Sequence, residues 1–152
     1  MSRRISSMAC PVTVTDDRAI VASDEERLRQ YCPDLENWPK SWSIEPRDIE
    51  PGEHLVAYFK LFLLHLLDLG RARKTVRVRR DNLWALGGEI IRELHEDPAL
   101  RECDIEEVLM RRVDEDGGPL SRYRLSEQKQ RSFDSTCRRL HRFLEETLAR
   151  RH

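Results

Sequence analysis

The sequence predicts an all-α protein with a four-helix core and an irregular N-terminal extension. Apolar residues recur at helical spacing in four segments after residue 52. Capping residues, glycines and prolines separate these segments. No alternating strand pattern follows residue 22. We therefore divide the chain into an N-terminal arm and Pro/Trp loop with one short helix (1–52) and a helical bundle domain (53–152).

The N-terminal region is predicted to contain little regular structure. Residues 1–22 are predicted to form a poorly ordered arm. Ser23 and Glu26 have capping-box spacing, which predicts a short helix from Asp24 to about Cys32. Four prolines within 33–52 forbid a continuous helix there.

Three tryptophans are candidate partner-binding residues: Trp38 and Trp42 in the Pro-rich loop, and Trp84 in the helical domain. The two loop tryptophans have two interpretations. Either they fix the loop against the helical core, or they form a lip that binds a partner. Because large aromatic side chains are usually well buried, the packing interpretation is favoured.

The first two core helices are predicted from residues that start or end helices and from the spacing of apolar residues. Pro51 is suited to a helix start, and the segment from Glu53 to Leu69 is apolar almost all round, which indicates a central helix. Gly70 ends it. Thr75 is predicted as the N-cap of the next helix, which runs to about Glu96. The Gly87-Gly88 pair inside that helix indicates close packing or a kink.

Of the last two predicted core helices, the first is short and the second is long. Asp104 is predicted to cap a short helix that ends at about Val113. Residues 116–119 read Asp-Gly-Gly-Pro and form a loop. Ser126 is predicted to cap a long final helix whose core stripe includes Phe133, Cys137, Leu140, Phe143, Leu144 and Leu148.

Composition and motifs exclude several functional classes. Charged residues make up 36% of the chain, yet the net charge is −1, so the protein is not a polybasic nucleic-acid coat. The four cysteines form no C-x-x-C pair, and no Cys/His spacing matches a zinc module. No catalytic motif is present, so we expect no enzyme activity, cofactor or metal. The absence of a signal-like or membrane-spanning apolar run predicts a cytoplasmic protein with free thiols.

A cluster of cations follows Gly70. The run contains no acidic residue, although helix N-termini usually favour negative side chains. Cations in this position are typical of a site where a bound anion interacts with both the arginines and the free N–H groups of the helix. Thr75 adds a hydroxyl donor. The cluster comprises Arg71, Arg73, Lys74, Arg77, Arg79 and Arg80.

A second basic stripe lies on the final helix, where Arg131, Ser135, Arg138 and Arg142 step by three or four residues. Two basic helical faces are suited to a DNA backbone or major groove. The alternative is that both faces are solvated and paired with nearby acidic residues.

The run from Leu55 to Thr75, with its Gly70 and its Lys74-Thr75, resembles the N-terminal core-binding (SAM-like) domain of tyrosine recombinases. The resemblance covers about 53–148 and implies an orthogonal four-helix bundle whose second and fourth helices face DNA. The recombinase catalytic domain is missing, as is any His-x-x-Arg motif. The resemblance therefore implies a non-catalytic relative of bacterial or mobile-element type. It implies DNA contacts by Arg73, Lys74, Thr75, Arg77, Arg80, Arg131, Arg138 and Arg142.

Two functional hypotheses result. A non-catalytic DNA-binding protein requires exposed arginines on the second and fourth core helices. A helical protein-interaction or dimerisation module requires an exposed apolar patch near the tryptophans, with the arginines held in ion pairs. A third possibility is a small-molecule pocket, if the Gly87-Gly88 pair opens a cavity between helices.

Overall fold

The chain folds as an all-α protein in the residues that our computed structural model describes, 22–119 and 126–151. The α-helices in these ranges are α1 (Ala22–Tyr31), α2 (Trp38–Trp42), α3 (Ile49–Asp68), α4 (Arg73–Glu96), α5 (Ile105–Arg112) and α6 (Glu127–Arg151). Short 3-10 turns occupy Leu35–Asn37, Pro46–Asp48 and Pro98–Glu102. The predicted arm lies outside these residues, apart from Ala22. No helix in the described ranges is both long and apolar enough to cross a bilayer.

The four predicted core helices correspond to α3, α4, α5 and α6. The side chain of Ser126 accepts a hydrogen bond of 3.1 Å from the Lys129 N–H, which confirms its role as a cap. Asp104 occupies the N-cap of α5, although its side chain makes no capping bond there. Pro51 lies inside the first turn of α3, because the helix begins two residues earlier at Ile49.

Two predicted N-caps are wrong. Ser23 lies within α1, which begins at Ala22. Thr75 lies within the first turn of α4, whose N-cap is Ala72. The cause is a tight reversal after α3: Gly70 adopts a positive φ of 74°, and the Arg71 N–H bonds back to the Leu66 carbonyl. The chain is therefore already in position to start α4 at Arg73.

The Pro-rich segment contains no continuous helix, as predicted, but it is not irregular. It forms α2 and two 3-10 turns. Pro39 and Pro46 each occupy the start of a short helical element, where an N–H group has no intrahelical partner to lose. Proline therefore sets the starts of these short elements, which the sequence analysis did not predict.

Trp42 explains the glycine at position 87 of α4. Its indole is buried between α3 and α4, and its Nε1 donates a hydrogen bond of 2.9 Å to the Trp84 carbonyl. A Cβ at Gly87 would overlap indole atoms Cζ2 and Cη2. At Gly52 of α3 the close neighbour is Pro39, whose Cα and Cβ would lie 3.0 Å from an added Cβ. The Gly87-Gly88 pair thus serves close packing, and the space that a small molecule would have needed there is filled by the indole.

The core is centred on α3, as its all-round apolar pattern predicted. Phe59 is fully buried and contacts both Trp38 and Trp42 edge-on, with ring centroids 6.5 and 6.3 Å apart. Toward its C-terminal end, α3 packs Phe62 against Phe143 of α6 at 5.6 Å between centroids. The central helix therefore joins the Pro-rich segment to the final helix.

Asp48 is a buried carboxylate that joins the start of α3 to the turn before α5. It accepts hydrogen bonds from the N–H groups of Ile44 (2.8 Å) and Glu45 (3.0 Å) and from the guanidinium of Arg101. Burial alone would raise the pKa of Asp48, but the bond from Arg101 and the two backbone bonds outweigh it and hold the pKa below its ordinary value. Asp48 is therefore charged in the folded protein at neutral pH.

The first prediction concerns the contact between Trp42 and α4. In Gly87→Ala the new methyl group overlaps the rigid indole, and overpacking of this kind costs about 1–3 kcal/mol. Gly88→Ala is the matched control, because its Cβ would lie 3.4 Å from Trp42 Cδ1, an ordinary contact. Since Ala favours a helix over Gly by about 1 kcal/mol, we expect Gly88→Ala to be neutral or stabilising. Urea unfolding measures both variants, and equal stabilities would contradict the packing.

The second prediction concerns Asp48. Removing one partner of a buried ion pair typically costs about 3–5 kcal/mol, so Asp48→Asn should lower the free energy of unfolding strongly at pH 7. Because the folded-state pKa is lowered, this stabilisation is present above the unfolded-state pKa of about 3.9 and is lost as pH falls through the folded-state value. Urea unfolding should therefore show a wild-type advantage that is large at neutral pH and shrinks in acid. A constant advantage at all pH values is the contrary result.

Candidate nucleic-acid interface

The start of α4 presents cations to solvent. Arg71, Arg73, Lys74 and Arg77 are all exposed. No acidic residue lies in the first turn, and the N-cap residue Ala72 has no side chain that could cap the helix. The unpaired N–H groups and the positive end of the helix dipole therefore add to the field of these side chains.

Two cations of this cluster also hold α4 to α1. The Arg73 guanidinium lies over the Tyr31 ring, 4.9 Å from its centroid. Arg80 donates to the Tyr31 carbonyl and forms a 3.0 Å ion pair with Asp81. Arg80 is therefore committed to structural contacts, and its sequence-based assignment as a DNA contact is not favoured by its surroundings.

Arg79 points toward α6. Its Nη1 donates to the hydroxyls of Ser135 (3.3 Å) and Thr136 (3.0 Å), while its Nε is enclosed without an acceptor. Burial, followed by the charges of Arg139, Arg71 and Arg138, lowers the pKa of Arg79. Among the described residues, this half-buried guanidinium thus donates only to neutral hydroxyls and lies near other cations.

A cleft of about 370 Å³ opens where the end of α3, the start of α4 and the face of α6 meet. We call it the arginine cleft. Its apolar wall includes Phe62, Leu66 and Phe143, and Glu146 is its one carboxylate. Its cationic and hydroxyl side chains are Arg71, Thr75, Arg79, Arg139 and Arg142.

The predicted stripe on α6 is divided by the structure. Arg142 lines the arginine cleft, whereas Arg138 lies outside its lining and makes a 3.4 Å bond to the Asp116 carbonyl. Arg131 is paired with Glu127 at 2.9 Å, one turn away on the same helix. Arg139 also lines the cleft and was not among the residues predicted from the sequence. Its position three residues after the buried Thr136 and four before the buried Phe143 was the available signal that it borders the core face.

Ion pairing distinguishes this region from the rest of the protein. Elsewhere in the described residues most cations have carboxylate partners, such as Arg29 with Glu26 (2.8 Å) and Arg111 with Glu107. Lys40, Lys129 and Arg150 are scattered exceptions, whereas eight cations without an ion pair to any residue that the structure describes are grouped on α4, the turn before it, and α6: Arg71, Arg73, Lys74, Arg77, Arg79, Arg138, Arg139 and Arg142. The acidic partners that the alternative interpretation required are thus not in place for these eight side chains.

The three tryptophans have different surroundings. Trp38 and Trp42 are 3% and 7% exposed and pack in the core, so the packing interpretation is confirmed for both. Their burial does not favour the alternative, a lip that binds a partner. Trp84 is 46% exposed, although its Nε1 donates to Ser41 Oγ at 3.0 Å. It is the one tryptophan that remains available to a partner.

Potential metal ligands and thiols occupy structural positions. Glu45, Asp48 and His95 each offer a ligand atom within 4.8 Å of the others. Asp48 is already bound by Arg101, and Glu45 forms an ion pair of 3.1 Å with Arg47, so we interpret these carboxylates as partners of arginines. Burial raises the pKa of both Cys32 and Cys137 to about 12, which leaves their thiols protonated at neutral pH.

Comparisons with known proteins give no assignment. No protein-family model matches the sequence, and neither curated proteins nor solved structures give a match. The resemblance to the recombinase core-binding domain stays a prediction.

The third prediction tests the placement of the tryptophans. Acrylamide should quench the fluorescence of Trp84 readily and that of Trp38 and Trp42 poorly, because only Trp84 is substantially exposed. Trp84→Phe should therefore remove most of the quenchable emission. If the variant retained it, at least one of the other two indoles would be accessible in solution.

Proposed function

We propose that this protein is a non-catalytic DNA-binding protein whose basic surface, formed by α4 and α6, contacts backbone phosphates. The observation that carries the proposal is the set of unpaired cations at the start of α4 and along α6. The chain has 28 acidic residues and pairs most of its other described cations, so this surface is not a consequence of general charge excess. Phosphates would supply the missing partners.

The contact between the two helices joins part of the basic surface of α4 to that of α6. Asn82 of α4 donates to Ser132 and Thr136 of α6, and Arg79 donates to the same Thr136. These bonds hold Arg79 of α4 beside Arg139 and Arg142, which line the same cleft. A surface of this kind provides strong, sequence-independent attraction to a polyanion.

A protein-interaction module is the second candidate function, and the exposure of Trp84 favours it. Ile44 is also 56% exposed. Burial of Trp38 and Trp42 removes two of the three aromatic side chains on which that hypothesis depended, and the unpaired arginines also differ from what it requires. DNA binding is therefore the better supported candidate.

The fourth prediction tests DNA binding through Lys74 and Arg77, which are exposed and do not line the arginine cleft. Fluorescence anisotropy with a random-sequence duplex, measured from about 50 to 200 mM salt, should show affinity that falls steeply as salt increases. Lys74→Ala/Arg77→Ala should weaken binding and make the slope of log K against log salt shallower by about 0.9 for each phosphate that the variant no longer neutralises.

The control for this experiment is Arg29→Ala/Arg111→Ala, which removes the same charge from two exposed, ion-paired arginines. We expect it to bind much like the wild type. Equal weakening by both double variants would show that only net charge matters. Absence of wild-type binding at low salt would refute the proposal, and light scattering of wild type and Trp84→Ala would then test self-association.

A further inference from the structure

The arginine cleft contains more positive charge than its own residues neutralise. Four guanidiniums line it, those of Arg71, Arg79, Arg139 and Arg142, against the single carboxylate of Glu146. None of the four forms an ion pair with a described residue. Like charges held together in a concave site raise the free energy of the empty protein, which an anion would lower.

Arg79 is the side chain least able to relieve this repulsion by itself. Its Nη1 is held by the hydroxyls of Ser135 and Thr136, so the guanidinium is not free to move into solvent. Its enclosed Nε has no acceptor. The neighbouring guanidiniums of Arg139 and Arg71 further disfavour its charged form. A bound anion would stabilise that charge where it already lies.

The cleft has the size of a small-molecule site, with cationic side chains on one side and apolar side chains on the other. Its volume of about 370 Å³ falls within the range of small-molecule sites, about 300–1,000 Å³, and exceeds what a bare oxyanion needs. Thr75 adds a hydroxyl donor on the cationic side. On the other side, Phe143 and Leu69 provide apolar surface, and Leu69 is 52% exposed.

We propose that the arginine cleft binds one phosphate monoester group, the terminal phosphate of a DNA strand, with the adjoining nucleoside against the apolar wall. The choice of a monoester follows from charge. A terminal phosphate carries about −1.5 to −2 at pH 7 and has three free acceptor oxygens, whereas an internal phosphodiester carries a single negative charge. Four guanidiniums and a hydroxyl match the former better. This inference rests on the proposed function for the identity of the ligand.

The fifth prediction uses variants of the full chain that change charge at exposed positions of one helix. Arg139→Gln/Arg142→Gln removes two guanidiniums from the cleft, and Arg131→Gln/Arg138→Gln is the control, with the same charge change outside its lining. In the first arm, thermal unfolding is followed with inorganic phosphate against chloride at equal ionic strength. Phosphate should raise the Tm of the wild type and the control, and not that of the cleft variant.

In the second arm, anisotropy compares one duplex carrying 5′-phosphate, 3′-phosphate or hydroxyl ends at the same salt concentration. One of the phosphorylated duplexes should bind the wild type and the control about tenfold more tightly than the hydroxyl duplex, as expected for charge-assisted hydrogen bonds. The cleft variant should show no preference.

The outcomes separate this inference from DNA binding itself. Salt-dependent binding with no end preference and no phosphate effect on Tm would overturn the cleft assignment and leave the proposed function in place. A phosphate effect confined to the intact cleft, without an end preference, would assign the cleft to free phosphate and overturn its assignment to a DNA end. An equal rise in Tm with phosphate in both double variants would show a general salt effect rather than binding in the cleft, and would also overturn the inference.

Discussion

The insertion of the Trp42 indole between α3 and α4 is the contact on which the rest of the structure depends. It requires glycine at position 87, because no larger residue leaves room for the rings. The indole N–H also bonds to a backbone carbonyl of α4, so its depth is fixed by a directional contact as well as by shape. The Pro-rich segment therefore holds α3 and α4 in one arrangement, in which the cations of the first turn of α4 are exposed to solvent.

Electrostatics along α4 change with distance from this contact. Near its middle and end, the helix is held by packing and by ion pairs such as Glu93 with Arg112 at 3.0 Å. At its start, cations accumulate without carboxylates, against the preference of a helix N-terminus for negative charge. A stable protein tolerates such a local conflict when the buried core compensates for it, and unfavourable local arrangements of this kind concentrate at functional sites.

Much of the fold was predictable because its signals are local. Periodicity located all four core helices, and Ser126 and Gly70 marked real boundaries. The glycine pair indicated close packing, but its partner Trp42 lies 45 positions earlier, a contact that no local pattern encodes. The cationic cluster was also visible. The sequence did not show that the cations of this cluster point in different directions. Arg80 and Arg79 are adjacent, yet Arg80 bonds to α1 and Arg79 to α6. Arg139 was missed because the stripe was chosen opposite the core face of α6, whereas the cleft lies at the border of that face.

The exposed cations and the arginine cleft would contribute differently to DNA binding. Lys74 and Arg77 lie in water, where salt screens their attraction within about 10 Å at 0.1 M, so they favour encounter with any polyanion. Arg79 is half-buried and held by hydroxyls, so its interaction with a bound phosphate is screened less. Raising the salt concentration should therefore weaken general attachment faster than it weakens capture in the cleft. Under that argument the preference for a phosphorylated end increases with salt, because the attraction that does not discriminate between ends weakens first.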